Sequence, residues 1–217
     1  MTTTQAFKFI ELYSLIQLTS CCLLYTVGSN LTDSQFTYID LVALVPLAIV
    51  QARTGSYLEL TADMPTATLF YWPVLLSICT STVIQASFQI YFFKSVKRQE
   101  FYEPADPLNL HFIGANPSYE DTVIFMVSIF QYVVTCLAFS VSRPFRQPFW
   151  TNIPFLICVV LLLVFNTILV FAADNSPMAE LFTFLPFEGA DGTSYYDYRA
   201  WISVGILLNT VITFGAE

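Results

Sequence analysis

Six long apolar runs dominate the sequence, at about residues 7–27, 35–52, 67–93, 121–141, 152–173 and 199–215, with only connectors between them. Each can cross a hydrocarbon core of about 30 Å as a helix of about 20 residues. None alternates with period two, as a membrane-spanning barrel strand does. In lipid every backbone donor and acceptor must be satisfied internally, which leaves helices for runs of this kind. The sequence therefore predicts an all-α, polytopic membrane protein with six transmembrane helices, forming one membrane-embedded unit over residues 1–217. Composition agrees. Of 217 residues, 56% are hydrophobic and 11% charged, against about 25% charged in soluble domains. A soluble enzyme is excluded. Trp72, Trp150 and Trp201 lie at the starts of runs, where indole rings favour the membrane interface. The first residues lack the basic region and cleavage site of a signal peptide, so the first run is expected to insert uncleaved.

Charge does not orient these helices. Lys8, Arg53, Arg143 and Arg146 balance Lys94, Lys97, Arg98 and Arg199, and the positive-inside bias is a count of Lys and Arg. Much of the net charge of −8 lies in connectors. The last connector carries Asp174, Glu180, Glu188, Asp191 and Asp197 without a basic residue. It reads either as a solvated loop or as a funnel that concentrates cations at a pore mouth. All five cysteines fall in apolar runs, so they read as packing residues, with no disulfide framework or zinc site. His111, the sole histidine, stands in a connector with no evident ligating partner. No metal site is expected, and nothing points to a nucleic acid.

Asp40 is the costliest residue. A carboxylate at the centre of a membrane helix costs about 2.5–3.5 kcal/mol on insertion scales. Its compensation is a partner, a water-filled cavity or a cationic substrate. In a regular α-helix Asp33 and Asp40, about 10 Å apart along the axis, point the same way, and Phe36 shares their face. Tyr13 and Gln17 share a face of the preceding helix. The short Gly28–Asp33 connector holds both faces near one end of the membrane. Two carboxylates, an amide, a phenol and an aromatic ring suit an elongated organic cation, by ion pairing and cation–π attraction. Pro46 is expected to kink the second helix or to break its ladder near Val42. Gln85, Gln89 and Gln131 read as interhelical packing contacts. Ser118, three residues before Asp121, reads as the cap of the fourth helix.

Several strings carry a resemblance. Phe7-Lys8-Phe9-Ile10-Glu11-Leu12-Tyr13-Ser14-Leu15-Ile16-Gln17 resembles the fifth membrane helix of type-5 P-type ATPases. Asn30-Leu31-Thr32-Asp33-Ser34-Gln35-Phe36-Thr37-Tyr38-Ile39-Asp40-Leu41 resembles the hairpin and sixth helix that follow, and Arg53-Thr54-Gly55 the end of that helix. Asn116-Pro117-Ser118-Tyr119-Glu120-Asp121, with Gln131-Tyr132, resembles the eighth. Pro144-Phe145-Arg146-Gln147-Pro148-Phe149-Trp150-Thr151-Asn152-Ile153-Pro154-Phe155 resembles the loop into the ninth, and its ending looks like that of the B subgroup, the polyamine exporters of lysosomes and vacuoles.

The resemblance implies that the six helices are the family's fifth to tenth, that is, its C-terminal membrane segment. It implies cytosolic connectors at Arg53 and at Arg143 and Arg146, and a luminal acidic connector. It implies a luminally open groove in which Tyr13, Gln17, Asp33, Phe36 and Asp40 bind polyamine. The expected function is that of the membrane part of an ATP-driven pump carrying spermidine or spermine from lumen to cytosol, in a lysosomal, vacuolar or late endosomal membrane. The sequence contains no Asp-Lys-Thr-Gly-Thr phosphorylation string. The segment is therefore expected to hold no cofactor, with ATP and Mg acting in the complete pump. Its expected partners are the lipid bilayer, the polyamine and the N-terminal part of the pump. The competing expectation is a truncated, non-transporting protein that acts as a scaffold or dominant-negative partner.

Overall fold

The computed structural model describes residues 2–57, 71–104, 117–140, 145–172, 176–187 and 196–216. Six described helices are long and apolar enough to cross a membrane, as the six runs predict. They are α1 (Thr2–Tyr25), α2 (Asp33–Ala52), α3 (Trp72–Val96), α4 (Tyr119–Ala138), α5 (Ile153–Phe171) and, after a short helix α6 (Pro177–Leu181), α7 (Tyr196–Ala216). Among the described residues the only β-type pairing is an isolated bridge between Ser56 and Arg146. The chain is a multi-pass membrane protein. His111 and residues 67–70 of the third run lie outside the described residues.

Local chemistry sets the helix ends within a few residues of the apolar runs. The hydroxyl of Ser118 accepts from the Asp121 backbone N–H, so α4 starts at Tyr119, two residues before its run. Asn152 caps α5 through the Phe155 N–H, and Pro154 fills the first turn. A proline lacks the donor that a first turn leaves unpaired anyway. Gly28, at φ +70°, turns the chain between α1 and α2, a conformation that costs glycine little. Thr32 and Gln35 close a reciprocal capping box at the head of α2.

Pro46 does not break α2. The seven residues Tyr38–Leu44 form a π-helical turn, in which the Val45 N–H donates to the Asp40 carbonyl, and the α-helix resumes at Val45. Pro46 has no N–H for Val42, and the wider turn reassigns the neighbouring donors. Local π adjustment of this kind is how membrane helices tolerate proline, and single π turns are frequent at functional sites.

The helix α4 is the axis of the bundle. In its membrane window 83% of residues are buried, against 28–33% in the other five spans. Those five each turn one face inward and leave the other to lipid, while α4, buried all round, reads as a core helix. Buried amides tie the bundle together. Gln89 Nε2 donates to Gln131 Oε1 at 2.9 Å and to Ser20 Oγ at 3.0 Å. Gln131 Nε2 donates to the Gln85 carbonyl at 3.0 Å, and Gln85 Nε2 to Thr213 Oγ1 at 2.9 Å. The three glutamines thus join α1, α3, α4 and α7 as packing contacts. Close approach of α3 and α7 rests on Gly205, where a Cβ would overlap the Phe92 ring.

Arginines finish two helices. Arg146, 5% exposed, donates to the carbonyls of Gln51, Ala52 and Thr54 at the end of α2 and to the Gln5 side chain on α1. Arg199 donates to the carbonyls of Val170 and Ala172 at the end of α5, at 2.6 and 2.9 Å. Both positions favour a cation, because the last carbonyls of a helix are unpaired and carry partial negative charge. Burial lowers the pKa of Arg146, and four protein oxygens replace its lost hydration.

Candidate functional site

The hairpin of α1 and α2 brings Tyr13 against Asp40. The phenol hydroxyl donates to Asp40 Oδ1 in a short contact. The carboxylate sits on the π turn, seven residues into α2, about 10 Å along the axis, and its side chain is exposed on the outer surface of the six-helix unit. Its partner within the described residues is thus a tyrosine of the preceding helix. Gln17 follows Tyr13 by one turn on α1 and is half-buried. Phe36, one turn before Asp40, is half-buried and packs on the main core together with Tyr13.

Asp33 lies elsewhere. It is exposed and lines a separate groove with Ser34 and Thr37. The expectation that both carboxylates share a face assumed an unbroken α-helix. A π turn has more residues per turn, so the angular offset between positions 33 and 40 is no longer that of the α register. The structure thus brings together Tyr13 and Asp40, sets Gln17 and Phe36 each one turn nearer the α1–α2 connector, and has Asp33 line the groove with Ser34 and Thr37.

Two features escaped sequence reading. Tyr132 on α4 is 1% exposed, and its ring lies 5.4 Å from that of Tyr13. Its hydroxyl has no hydrogen-bond partner among the described residues. Nothing in the apolar run around it signals this, because its neighbour comes from another helix. The second is a polar latch at the same end of the bundle as the α1–α2 turn. Gln35 Nε2 donates to Asp121 Oδ2 at 2.8 Å and to the Phe182 carbonyl at 3.1 Å. Here the sequence did hold a signal, since Thr32 and Gln35 have capping-box spacing. Asp121 and the adjacent Glu120 are both fully buried. Glu120 accepts from Tyr102 at 2.6 Å and lies 3.6 Å from Lys97. Burial, and then this carboxylate, raises the Tyr102 pKa and keeps the phenol a donor.

The arrangement provides a carboxylate at membrane depth, a phenol and amide beside it, and an aromatic ring one turn away, on a face that the six helices leave open. A carboxylate so placed accepts hydrogen bonds from an ammonium group and neutralises its charge. Among the described residues no cluster of three potential metal ligands occurs. From the acidic connector, Glu180 and Asp197 are exposed, while Asp174, Glu188 and Asp191 lie outside the described residues.

No family model matches the chain. Individual proteins do. The chain is 39% identical over 166 residues to the mouse polyamine-transporting ATPase 13A2, an alignment covering 74% of this chain and 14% of the relative. It is 31% identical to the mouse polyamine-transporting ATPase 13A3, covering 100% of this chain and 18% of the relative. It is 29% identical to the vacuolar cation-transporting ATPase YPK9 of Saccharomyces cerevisiae, covering 96% of this chain and 14% of the relative. The chain thus spans less than a fifth of the length of these relatives. With its six membrane helices and these matches, the chain belongs to the type-5 P-type ATPases and corresponds to a C-terminal membrane part of that family.

Proposed function

We propose that this chain is the cargo-contacting C-terminal membrane part of an ATP-driven polyamine pump, moving spermidine or spermine from lumen to cytosol. The observation that carries the reading is the Tyr13–Asp40 pair, a carboxylate at membrane depth held by a single phenol on an open helix face. Asp40 neutralises an ammonium group of the cargo. Tyr13 orients the carboxylate while the site is empty and then packs on the cargo beside it. The Gln17 amide oxygen accepts from an ammonium group further along the cargo, and Phe36 faces methylene and ammonium groups. Exposed Glu180 and Asp197 raise the local cation concentration at the luminal mouth. The names of the relatives support polyamine as cargo and, for the yeast protein, a vacuolar membrane. The membrane of operation is accordingly a lysosomal, vacuolar or late endosomal one. ATP and Mg act in the remainder of the pump, which supplies the phosphorylation site and the facing half of the groove.

The test is spermine-stimulated ATP hydrolysis by the complete pump carrying Asp40→Asn. Losing a charge-assisted hydrogen bond costs about 1.5–3 kcal/mol. The spermine concentration needed for stimulation should therefore rise at least about tenfold, with expression unchanged. Stimulation at the wild-type spermine concentration would refute the assignment.

A further inference from the structure

A groove of about 1000 Å³ runs between α2 and α5 beneath the short helix α6, on a surface distinct from the Tyr13–Asp40 pair. Its walls are apolar, with Val42 from α2, Leu161 and Phe165 from α5, and Leu181 from α6. Apart from Tyr38, whose hydroxyl donates to Asn166, polar side chains occur at one end only. There Asp33, Ser34 and Thr37, all in the first turns of α2, form the mouth. The groove is therefore polar where the helix enters the membrane and apolar toward mid-membrane. Leu161, Val164 and Ile168 are 64%, 53% and 47% exposed along it. No basic side chain lines it among the described residues, and the neighbouring acidic residue, Glu180, is exposed.

We propose that this groove binds a phospholipid with an ethanolamine headgroup, its ammonium on Asp33, its phosphate on the hydroxyls of Ser34 and Thr37, and an acyl chain along α5. Charge selects the occupant. A carboxylate at the mouth repels a net-anionic headgroup. A primary ammonium donates N–H bonds to a carboxylate, whereas a trimethylammonium has no N–H to donate. A free polyamine fits poorly, because beyond its first ammonium the walls offer its further charges no partner. The inference does not depend on which cargo the pump carries.

The complete pump, placed in nanodiscs of equal phosphatidylethanolamine and phosphatidylcholine and then exchanged into detergent, tests this by mass spectrometry of the retained lipid. Phosphatidylethanolamine should be enriched over phosphatidylcholine. Asp33→Asn should cut its retention by about tenfold, the loss of one charge-assisted hydrogen bond. Leu161→Trp, which fills the groove, should abolish the enrichment, while Leu207→Trp on the exposed face of α7 should leave it intact. The proposal is overturned if retained lipid mirrors the bulk mixture, or if enrichment survives both groove variants. A map of the complete pump with a protein helix seated in the groove would also overturn it.

Discussion

The glutamine ladder and the Tyr13–Asp40 pair both place polar groups at membrane depth, but they end differently. Gln85, Gln89 and Gln131 bond to one another, to Ser20 and to Thr213 inside the bundle, on residues with exposures of 0–1%. Asp40 has a tyrosine on one side and an open surface on the other. A network closed within the bundle holds helices in register. A charged group left with one neutral partner has capacity for a visitor. Intramembrane polarity alone therefore does not mark a site in this protein; the unfilled bonding capacity does.

The comparison breaks if stability and cargo dependence fail to separate. Arg146→Met should be the most damaging substitution outside the groove, since it leaves the carbonyls of Gln51, Ala52 and Thr54 and the Gln5 amide oxygen without their donor. Each orphaned buried acceptor costs about 1–3 kcal/mol, so the melting temperature of the complete pump should fall steeply. A melting curve that overlays the wild type removes Arg146 as the clamp of α2. Gln89→Leu should cost less, about 1–3 kcal/mol for the acceptors it strands. Its melting temperature should drop while the spermine concentration for half-maximal ATP hydrolysis stays put. A change confined to spermine dependence would place the ladder in the transport path.

Tyr13→Phe is the smallest change and the sharpest. It removes one hydroxyl from an exposed carboxylate, and a hydrogen bond to a charged group is worth about 1.5–3 kcal/mol. Asp40 would then meet the cargo without its positioning phenol, and half-maximal stimulation should shift by about tenfold with little change in melting. If Tyr13→Phe lowers the melting temperature as Gln89→Leu does, the pair belongs with the packing network and the contrast fails.

Much of the candidate site was legible beforehand. The cost of a carboxylate in lipid singles out Asp40 whatever surrounds it, and helical periodicity joins Tyr13 to Gln17. The hairpin between Tyr25 and Asp33 is short enough to set the two faces side by side. What the sequence did not show was the π turn in α2. The proline at 46 was visible, yet its effect appeared two to eight residues earlier, as a π turn that carries Asp40. Tyr132 stayed hidden because a tyrosine in an apolar run carries no local mark of its neighbours.

The sequence by itself determined the number, length and class of the helices, because lipid leaves a long apolar segment no other way to pair its backbone. It also determined which residues are too costly to lie at membrane depth without a reason. Only the tertiary structure decided which reason applied to each. Whether a buried amide finds a second amide, or a carboxylate finds a tyrosine and then open space, depends on how separate helices rotate against α4. That rotation is set by interdigitating side chains far apart in the chain, such as Phe92 against Gly205 and Tyr13 against Tyr132.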